Sequence, residues 1–211
     1  MSMVGELSYF LGLQVKQTED GLFISQSKYA KDLVKRFGLD TTRPDIVFSV
    51  GVCARFQANP KESHLSSIRH IIRYVSGNVD LGIFYSRNSN LDLAGYSDVD
   101  WAGNAYVRKS TSGGCFYMGS NLVAWLSKKQ NSISLSTVEA EYIAAGSCCT
   151  QLLWMKQMLS DYGINQGTMT VFCDNTNHVS TDNQLADILT KPLDGMRFES
   201  LQTVVGIWLP I

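Results

Sequence analysis

One long helical pattern set among strand-like runs is the feature that most constrains how this chain folds. Residues from Thr137 to Asp161 carry apolar side chains at helical spacing, and Gly163 supplies a stop. The strand-like runs around this helix are Leu91–Ser97, Cys115–Met118, Leu122–Leu126 and Met169–Cys173, and Gln184–Thr190 is expected to close the fold as a short helix. The middle two runs predict a hairpin around Gly119-Ser120-Asn121. Three antiparallel strands, a helix and a further strand predict an α/β sandwich.

The first 87 residues show a different pattern. The expected elements are a hairpin of Tyr9–Val15 and Leu22–Ser25 around Glu19-Asp20-Gly21, a helix over Ser27–Phe37, and a helix over Pro60–Ser76 capped by Asn59. Polar junctions near residues 40 and 87 predict three segments. These are 1–40, a hairpin plus helix; 41–87, a helical connection; and 88–211, the sandwich.

Composition excludes several classes of protein. The net charge is −1, so bulk charge does not drive the chain onto nucleic acid or anionic lipid. Five cysteines, an odd number without a C-x-x-C pair, indicate a reducing compartment rather than a disulfide framework. The first residues lack the pattern of a signal peptide, and no run of about 20 mainly apolar residues is present. We therefore expect an intracellular protein, cytoplasmic or nuclear, without membrane contact.

A carboxylate interrupts the core-facing side of the long helix. At about 100° per residue, Glu141 shares a face with the apolar residues Val138, Ala145, Cys148, Leu152, Met155 and Leu159. Glu139 points the opposite way and is an ordinary exposed acid. Burying an unpaired carboxylate costs on the order of several kcal/mol of folding free energy, unless the group meets a cation. A metal ion would remove that cost.

Three more aspartates occupy unusual positions. Asp98 ends the predicted strand Leu91–Ser97, and Asp174 directly follows the strand Met169–Cys173, where clefts of α/β sheets form. Asp187 lies among apolar residues of the closing helix. Four carboxylates in one cleft suit Mg²⁺ or Mn²⁺. The alternative is structural, because aspartates at strand ends often cap turns and Asp near a helix start is favourable.

Several long strings in this chain resemble one known family. Those of the second half are Gly95-Tyr-Ser-Asp-Val-Asp-Trp-Ala-Gly103, Arg108-Lys-Ser-Thr-Ser-Gly-Gly114, Ser134-Leu-Ser-Thr-Val-Glu-Ala-Glu-Tyr-Ile-Ala-Ala145, Cys173-Asp-Asn175 and Gln184-Leu-Ala-Asp-Ile-Leu-Thr-Lys-Pro192. In this order they resemble the RNase H domain of copia-type LTR retrotransposon Pol polyproteins. The strings Tyr9-Phe-Leu-Gly-Leu-Gln-Val15, Phe23-Ile-Ser-Gln-Ser-Lys-Tyr29 and Arg43-Pro-Asp45 resemble the end of the reverse transcriptase of the same polyproteins.

The resemblance implies an RNase H-like fold behind a small α+β reverse-transcriptase tail. It also implies hydrolysis of the RNA strand in an RNA–DNA hybrid, with two divalent ions, Mg²⁺ or Mn²⁺, held by Asp98, Glu141, Asp174 and Asp187. The candidate contacts to the hybrid backbone are Arg108, Lys109, Ser110, Lys128 and Lys129. The expected partners are an RNA–DNA hybrid and the rest of a Pol polyprotein.

The chain also departs from the family. It contains no Asp-Asp pair, which the polymerase site needs, so we expect no polymerase activity. The RNase H-like segment is shortened between 175 and 186, since only 12 residues separate Asp174 from Asp187. We expect the apolar tail Val204–Ile211 to cover core surface exposed by this loss. The rival hypothesis is a degenerate, non-catalytic retroelement fragment with at most weak nucleic-acid binding.

Overall fold

The computed structural model describes residues 8–28, 30, 43–103, 108–173 and 184–209. In this part of the chain it has two β-sheets and four α-helices, which confirms the expected mixed α/β class. The chain forms two compact units. One contains the described residues up to Asn88 together with those from Gln202 onward, and the other is Ser89–Leu201.

The first unit is built on an antiparallel sheet with the strand order β1-β2-β3-β4-β9. Its strands are β1 (Tyr9–Phe10), β2 (Leu13–Gln17), β3 (Gly21–Ser25), β4 (Gly82–Ser86) and β9 (Ile207–Trp208). The predicted hairpin is present as β2 and β3, closed by the hydrogen bond from Thr18 N–H to Gly21 O at 2.9 Å. The run expected as one strand over Tyr9–Val15 is instead two strands, because Leu11 (φ 49°) and Gly12 (φ 84°) adopt left-handed backbone conformations and turn the chain.

The segment expected as a helical connection contains more than helices. Helices α1 (Pro44–Ala54) and α2 (Glu62–Gly77) are followed by β4, which lies between β3 and β9 in the sheet. The start of α2 was predicted too early. Its N-cap is Lys61 rather than Asn59, and the Lys61 N–H donates to His64 Nδ1 at 3.0 Å. Of the helix predicted over 27–37, only residues 27, 28 and 30 are described, and they are helical.

A buried carboxylate, Asp45, organises the polar interior of the first unit. It accepts hydrogen bonds from Arg43 Nε and Nη2 at 2.9 and 2.6 Å, from Tyr74 Oη at 2.7 Å and from Gln202 Nε2 at 3.2 Å. These four donors satisfy a carboxylate that is 3% exposed. Burial, reinforced by the negative charge of Asp45, raises the pKa of Tyr74, so the phenol remains a donor.

The second unit contains a mixed four-stranded sheet with the order β7-β6-β5-β8. Strands β5 (Leu93–Asp100), β6 (Thr111–Met118) and β7 (Asn121–Lys129) are antiparallel neighbours, and β8 (Thr170–Cys173) runs parallel to β5. Helix α3 spans Thr137–Asp161, as predicted, and connects β7 to β8. Strand β5 extends three residues beyond its predicted end, so Asp98 lies inside the strand rather than after it. The predicted closing helix is a 3₁₀ helix over Leu185–Leu189, and helix α4 (Gly195–Val204) follows.

Helix α3 packs on the sheet through one line of buried side chains. Cys148 and Leu152 join Leu93 and Phe116 in one cluster, and Ala140 and Ala144 pack with Val99 in another. The contact line therefore passes through residues 140, 144, 148 and 152, spaced four apart. The predicted core-facing side is confirmed at Cys148, Leu152, Met155 and Leu159, but it was wrong at Val138, which is 47% exposed. Glu141 lies half-buried beside this line rather than at its centre.

The apolar tail does not have the role that we expected for it. Residues Ile207 and Trp208 form β9 and pair with Ile83 and Gly82 of β4, in the sheet of the first unit. The physical reason is that the β4 edge offers unpaired backbone donors and acceptors, which a short extended apolar segment satisfies. No α-helix in the part of the chain that the structure describes combines the length and apolarity that crossing a membrane requires.

The close approach of α3 to β5 depends on Gly95. A Cβ atom at this position would lie 2.8 Å from Cys148 Sγ and 3.1 Å from Leu152 Cδ1. We predict that Gly95→Ala lowers the free energy of unfolding by about 1–3 kcal/mol, because overpacking displaces the helix. Chemical denaturation of the purified chain measures the change.

A matched control comes from Gly146, on α3 itself. No heavy atom lies within 4 Å of a Cβ built there, so Gly146→Ala is expected to stabilise the chain by about 0.5–1 kcal/mol through helix propensity. The cost of Gly95→Ala should shrink in a Cys148→Ala background. A Gly95→Ala variant as stable as the wild type would contradict this description of the helix–sheet packing.

Candidate active site

Asp98 projects from β5 on the face of the sheet opposite α3. Gly95 and Val99 face the helix, so Asp98, at odd spacing from both, faces the other way. Its neighbour on β6 is Gly113, and a Cβ atom there would lie 2.5 Å from Thr190 Cγ2 and 3.0 Å from Leu189 Cβ. The glycine therefore lets the 3₁₀ helix pack directly over the carboxylate, and Asp98 is fully buried.

Gln184 fixes the start of the 3₁₀ helix. Its side-chain Nε2 donates to Ser97 O at 3.1 Å, and its Oε1 accepts the N–H of Ala186 at 3.3 Å. Gln184 is fully buried, so both bonds are protected from water. Together with the packing on Gly113, this anchor brings Asp187 to the sheet beside Asp98.

Two basic side chains and a hydroxyl compensate the two aspartates. Lys191 Nζ lies 3.2 Å from Asp98 Oδ1 and 3.0 Å from Asp187 Oδ1. Arg197 Nη2 lies 2.6 Å from the other oxygen of Asp187, Oδ2. Thr190 Oγ1 donates a hydrogen bond to Asp98 Oδ2. Sequence reasoning missed these partners, although Lys191 directly follows the predicted closing helix, and its i, i+4 spacing from Asp187 was a usable signal.

Burial dominates the proton equilibrium of Asp98. Removal from water raises the pKa of Asp98 to about 6. The hydrogen bond from Thr190 and the positive charge of Lys191 lower this pKa, and the negative charge of Asp187 raises it further, but each effect is smaller than that of burial. Burial lowers the pKa of Lys191, but its attraction to Asp98 and Asp187 outweighs this, and the net shift of that pKa is upward. Lys191 therefore remains a cation at neutral pH.

The other two predicted metal ligands are Glu141 and Asp174. Glu141 is half-buried on the second turn of α3, next to Ala140, which packs on Val99 of β5. Asp174 lies outside the described residues. The last described residue before it, Cys173, pairs with Ser97. Within residues 8–28, 30, 43–103, 108–173 and 184–209, no group of three or more His, Cys, Asp or Glu side chains is placed to hold a metal ion.

Comparison with known proteins identifies the relatives of this chain. It is 29% identical to the retrovirus-related Pol polyprotein from transposon RE1 of Arabidopsis thaliana, over 96% of this chain and 19% of the relative. It is 34% identical to the retrovirus-related Pol polyprotein from transposon TNT 1-94 of Nicotiana tabacum, over 80% of this chain and 13% of the relative. This chain is a homologue of copia-type retrotransposon Pol polyproteins.

This Pol homologue matches only a part of each of the longer polyproteins. It spans 19% of the length of the RE1 polyprotein and 13% of the length of the TNT 1-94 polyprotein. The RE1 alignment runs over 279 positions, more than the 211 residues of this chain, so RE1 carries segments that have no counterpart here. A shorter relative, secreted RxLR effector protein 161 of Plasmopara viticola, is 37% identical over 54% of this chain and 80% of its own length. No protein-family model and no solved structure matches the chain.

The basic residues predicted to contact nucleic acid lie near the same end of the sheet as Asp98. Strand pairing aligns Lys128 and Lys129 of the Pol homologue with Ser112 and Thr111 on β6, which in turn align with Val99 and Asp100. Their order in the sheet places them at the carboxyl end of β5.

The loop before β6 contains the remaining candidates. Arg108 is exposed with a left-handed backbone (φ 55°), and Lys109 Nζ donates to Asn131 O. Ser110 is fully buried and accepts the N–H of Ala102 at 3.2 Å. Its hydroxyl therefore holds the loop in place rather than facing solvent, whereas Arg108 is available at the surface.

The start of α3 is fixed to the sheet by a second buried glutamine. Gln130 Nε2 donates to Ser112 Oγ and to Ala140 O, both at 2.9 Å, and its Oε1 accepts from Ser134 Oγ at 3.1 Å. At the same helix end, Ser136 Oγ accepts the N–H of Glu139, while Glu139 Oε2 accepts the N–H of Leu135. These bonds determine where Glu141, one turn further on, lies along the sheet.

Asp98 and Asp187 have the chemistry that a divalent cation requires. Each directs one oxygen at a single point within 3.2 Å, and the cation at that point is the Lys191 ammonium, which shows that the pair accommodates positive charge. Carboxylate oxygens are the preferred ligands of Mg²⁺ and Mn²⁺. These two side chains therefore fit part of a metal site.

The raised pKa of Asp98 predicts a specific dependence of stability on pH. The pKa of Asp98 in the folded protein, about 6, exceeds its value in the unfolded chain. The stabilisation of the fold by protonated Asp98 is therefore fully present below about pH 4 and is lost as pH rises through 6. We predict that Asp98→Asn, which cannot ionise, gains about 2–3 kcal/mol in free energy of unfolding relative to wild type between pH 4 and pH 7.

Urea denaturation at several pH values measures this difference. The matched control is Asp92→Asn, an exposed aspartate just before the same strand. Parallel stability–pH curves for wild type and Asp98→Asn would show that the carboxylate is not buried as described.

Proposed function

We propose that this chain is a retroelement-derived, RNase H-like endonuclease that hydrolyses the RNA strand of RNA–DNA hybrids with divalent metal ions. The observation that carries the proposal is the meeting of Asp98 and Asp187. These residues lie far apart in sequence, and both are buried around one cation position at the end of β5. They are two of the four acids that the family resemblance assigns to metal binding.

The arrangement of the second unit supports the proposal. Three antiparallel strands, a long helix and a further strand are the elements that the resemblance implies for an RNase H-like fold, and the second unit contains them. The parallel strand β8 ends beside Ser97, directly before Asp98. Homology to Pol polyproteins, which are named as retrovirus-related, is consistent with a nuclease of this class.

The residues would have distinct roles in the reaction. Asp98 and Asp187 would hold metal, and Glu141 and Asp174 would complete the ligand set that the resemblance implies. Two bound divalent ions would activate a water molecule and stabilise the leaving oxygen of the phosphodiester. Gln184 and Gly113 would keep the 3₁₀ helix, and with it Asp187, in position on the sheet.

The surface near this site suits the backbone of a hybrid. Lys128 is exposed and Lys129 half-buried at the end of β7, and Arg108 is exposed in the loop before β6. Lysine and arginine contacts to phosphates position a nucleic acid without reading its sequence. We infer recognition of the hybrid by shape, 2′-hydroxyl groups and backbone charge.

The second candidate function is a non-catalytic retroelement fragment with at most weak nucleic-acid binding. Two observations favour it. Lys191 and Arg197 together balance the charge of Asp98 and Asp187, and the described residues contain no group of three or more metal-binding side chains. In this case the ion pairs would be a permanent structural substitute for metal.

A cleavage assay on an end-labelled RNA–DNA hybrid separates the two functions. We predict Mg²⁺-dependent cleavage of the RNA strand, no cleavage of a DNA duplex, and a loss of at least about 10²-fold in rate in Asp98→Asn. The Asp92→Asn variant, purified in parallel, should retain the wild-type rate, whereas cleavage at that rate by Asp98→Asn would indicate a contaminating nuclease. A wild-type chain that melts cooperatively yet leaves the hybrid intact would favour the non-catalytic fragment.

A further inference from the structure

The ammonium of Lys191 lies where two carboxylates of the candidate site converge. Its Nζ is 3.2 Å from Asp98 Oδ1 and 3.0 Å from Asp187 Oδ1. The backbone N–H of Lys191 donates to Asp187 O at 3.1 Å, which holds the residue at the end of the 3₁₀ helix. The contact is therefore built into the local structure rather than made by a freely moving surface lysine.

The charges of this cluster balance without a metal. Asp98 and Asp187 contribute two negative charges when ionised, and Lys191 and Arg197 contribute two positive charges. Arg197 bonds Asp187 Oδ2, whereas Lys191 bonds the Oδ1 atoms of both aspartates. A divalent ion bound between the aspartates needs the same two Oδ1 atoms, so it competes with Lys191 and leaves the Arg197 contact available.

The Lys191 side chain is able to leave. It is 32% exposed, while the side chains of Asp98 and Asp187 are 1% and 4% exposed. Its cationic end can therefore reach water by rotation of its flexible stem, at a moderate cost in free energy, whereas the aspartates remain fixed by the sheet and the 3₁₀ helix.

We propose that the Lys191 ammonium is an internal cation that holds Asp98 Oδ1 and Asp187 Oδ1 together until a divalent metal ion takes its place. This inference rests on the proposed function for the identity of the metal site. Lys191 acts as a positioning residue in the metal-free protein. It also raises the metal concentration at which the site fills, because binding of the two cations is mutually exclusive.

Metal-induced stabilisation of a Lys191→Met variant tests this competition without any cleavage assay. Melting temperatures are measured at pH 8 in EDTA and across a Mn²⁺ titration. We predict that Lys191→Met melts below wild type in EDTA, because two buried carboxylates lose their shared cation, and that its apparent Mn²⁺ affinity is at least about fivefold higher. Lys156→Met, at a half-buried lysine on α3 whose Nζ bonds Gly167 O at the surface, is the matched control and should leave both values unchanged.

A purely structural role gives a different result. In that case Lys191→Met lowers the melting temperature equally with and without Mn²⁺, and the apparent affinity is that of wild type, which overturns the proposal. An absence of any Mn²⁺ response in both proteins also overturns it. Tighter Mn²⁺ binding by Lys191→Met without hybrid cleavage by wild type would support the competition and reject the nuclease. Hybrid cleavage by wild type, together with an unchanged Mn²⁺ affinity of Lys191→Met, would support the nuclease and reject the competition.

Amine labelling of the wild-type chain provides a test that does not depend on a variant folding. A succinimidyl acetate reagent is applied briefly with and without Mg²⁺, and acetylation of each lysine is read by mass spectrometry. Displacement of Lys191 by Mg²⁺ predicts at least about a threefold rise in its labelling relative to Lys156 in the same sample, since a released amine is accessible and loses its ion pairs. Equal labelling in both conditions would overturn the proposal.

Discussion

The second unit depends on a buried carboxylate that is kept charged by its neighbours. Asp98 lies inside a strand, beneath a 3₁₀ helix, where water cannot reach it. Desolvation of an aspartate is costly, and the cost here is offset by Thr190, by Lys191 and by the arrangement that brings both to the sheet. The packing of the 3₁₀ helix on β6 is therefore tied to the electrostatics of one side chain on β5.

Glycines at two positions make this arrangement sterically possible. Gly95 lets α3 approach one face of β5, and Gly113 lets the 3₁₀ helix approach the opposite face of β6. Buried glutamines then fix both elements, Gln130 at the start of α3 and Gln184 at the start of the 3₁₀ helix. The result is a sheet with a packed element on each face and a carboxylate cluster at the carboxyl end of β5, the edge at which α/β proteins commonly place their sites.

Local patterns in the sequence predicted the elements better than their contacts. The bounds of α3 and the presence of the β6–β7 hairpin follow from helical periodicity and turn residues, which act over a few positions. The strands themselves are longer than predicted, since β6 begins at Thr111 and β7 ends at Lys129. The side of α3 that faces the core was misjudged near Glu141, because packing on Val99 selects the small residues Ala140 and Ala144. The unusual position of Asp98 was visible from sequence. The contact of Asp98 with Lys191 could not be predicted from sequence, because it depends on how a segment 93 residues further along the chain packs on β5.

A crystal of this chain soaked in Mn²⁺, with anomalous scattering used to locate the metal, would show directly whether a divalent ion replaces the Lys191 ammonium. We expect a manganese peak bonded to Asp98 Oδ1 and Asp187 Oδ1, with the Lys191 Nζ moved out of hydrogen-bonding distance of both atoms. A map in which Lys191 still bridges the two aspartates and no manganese binds beside them would contradict this expectation.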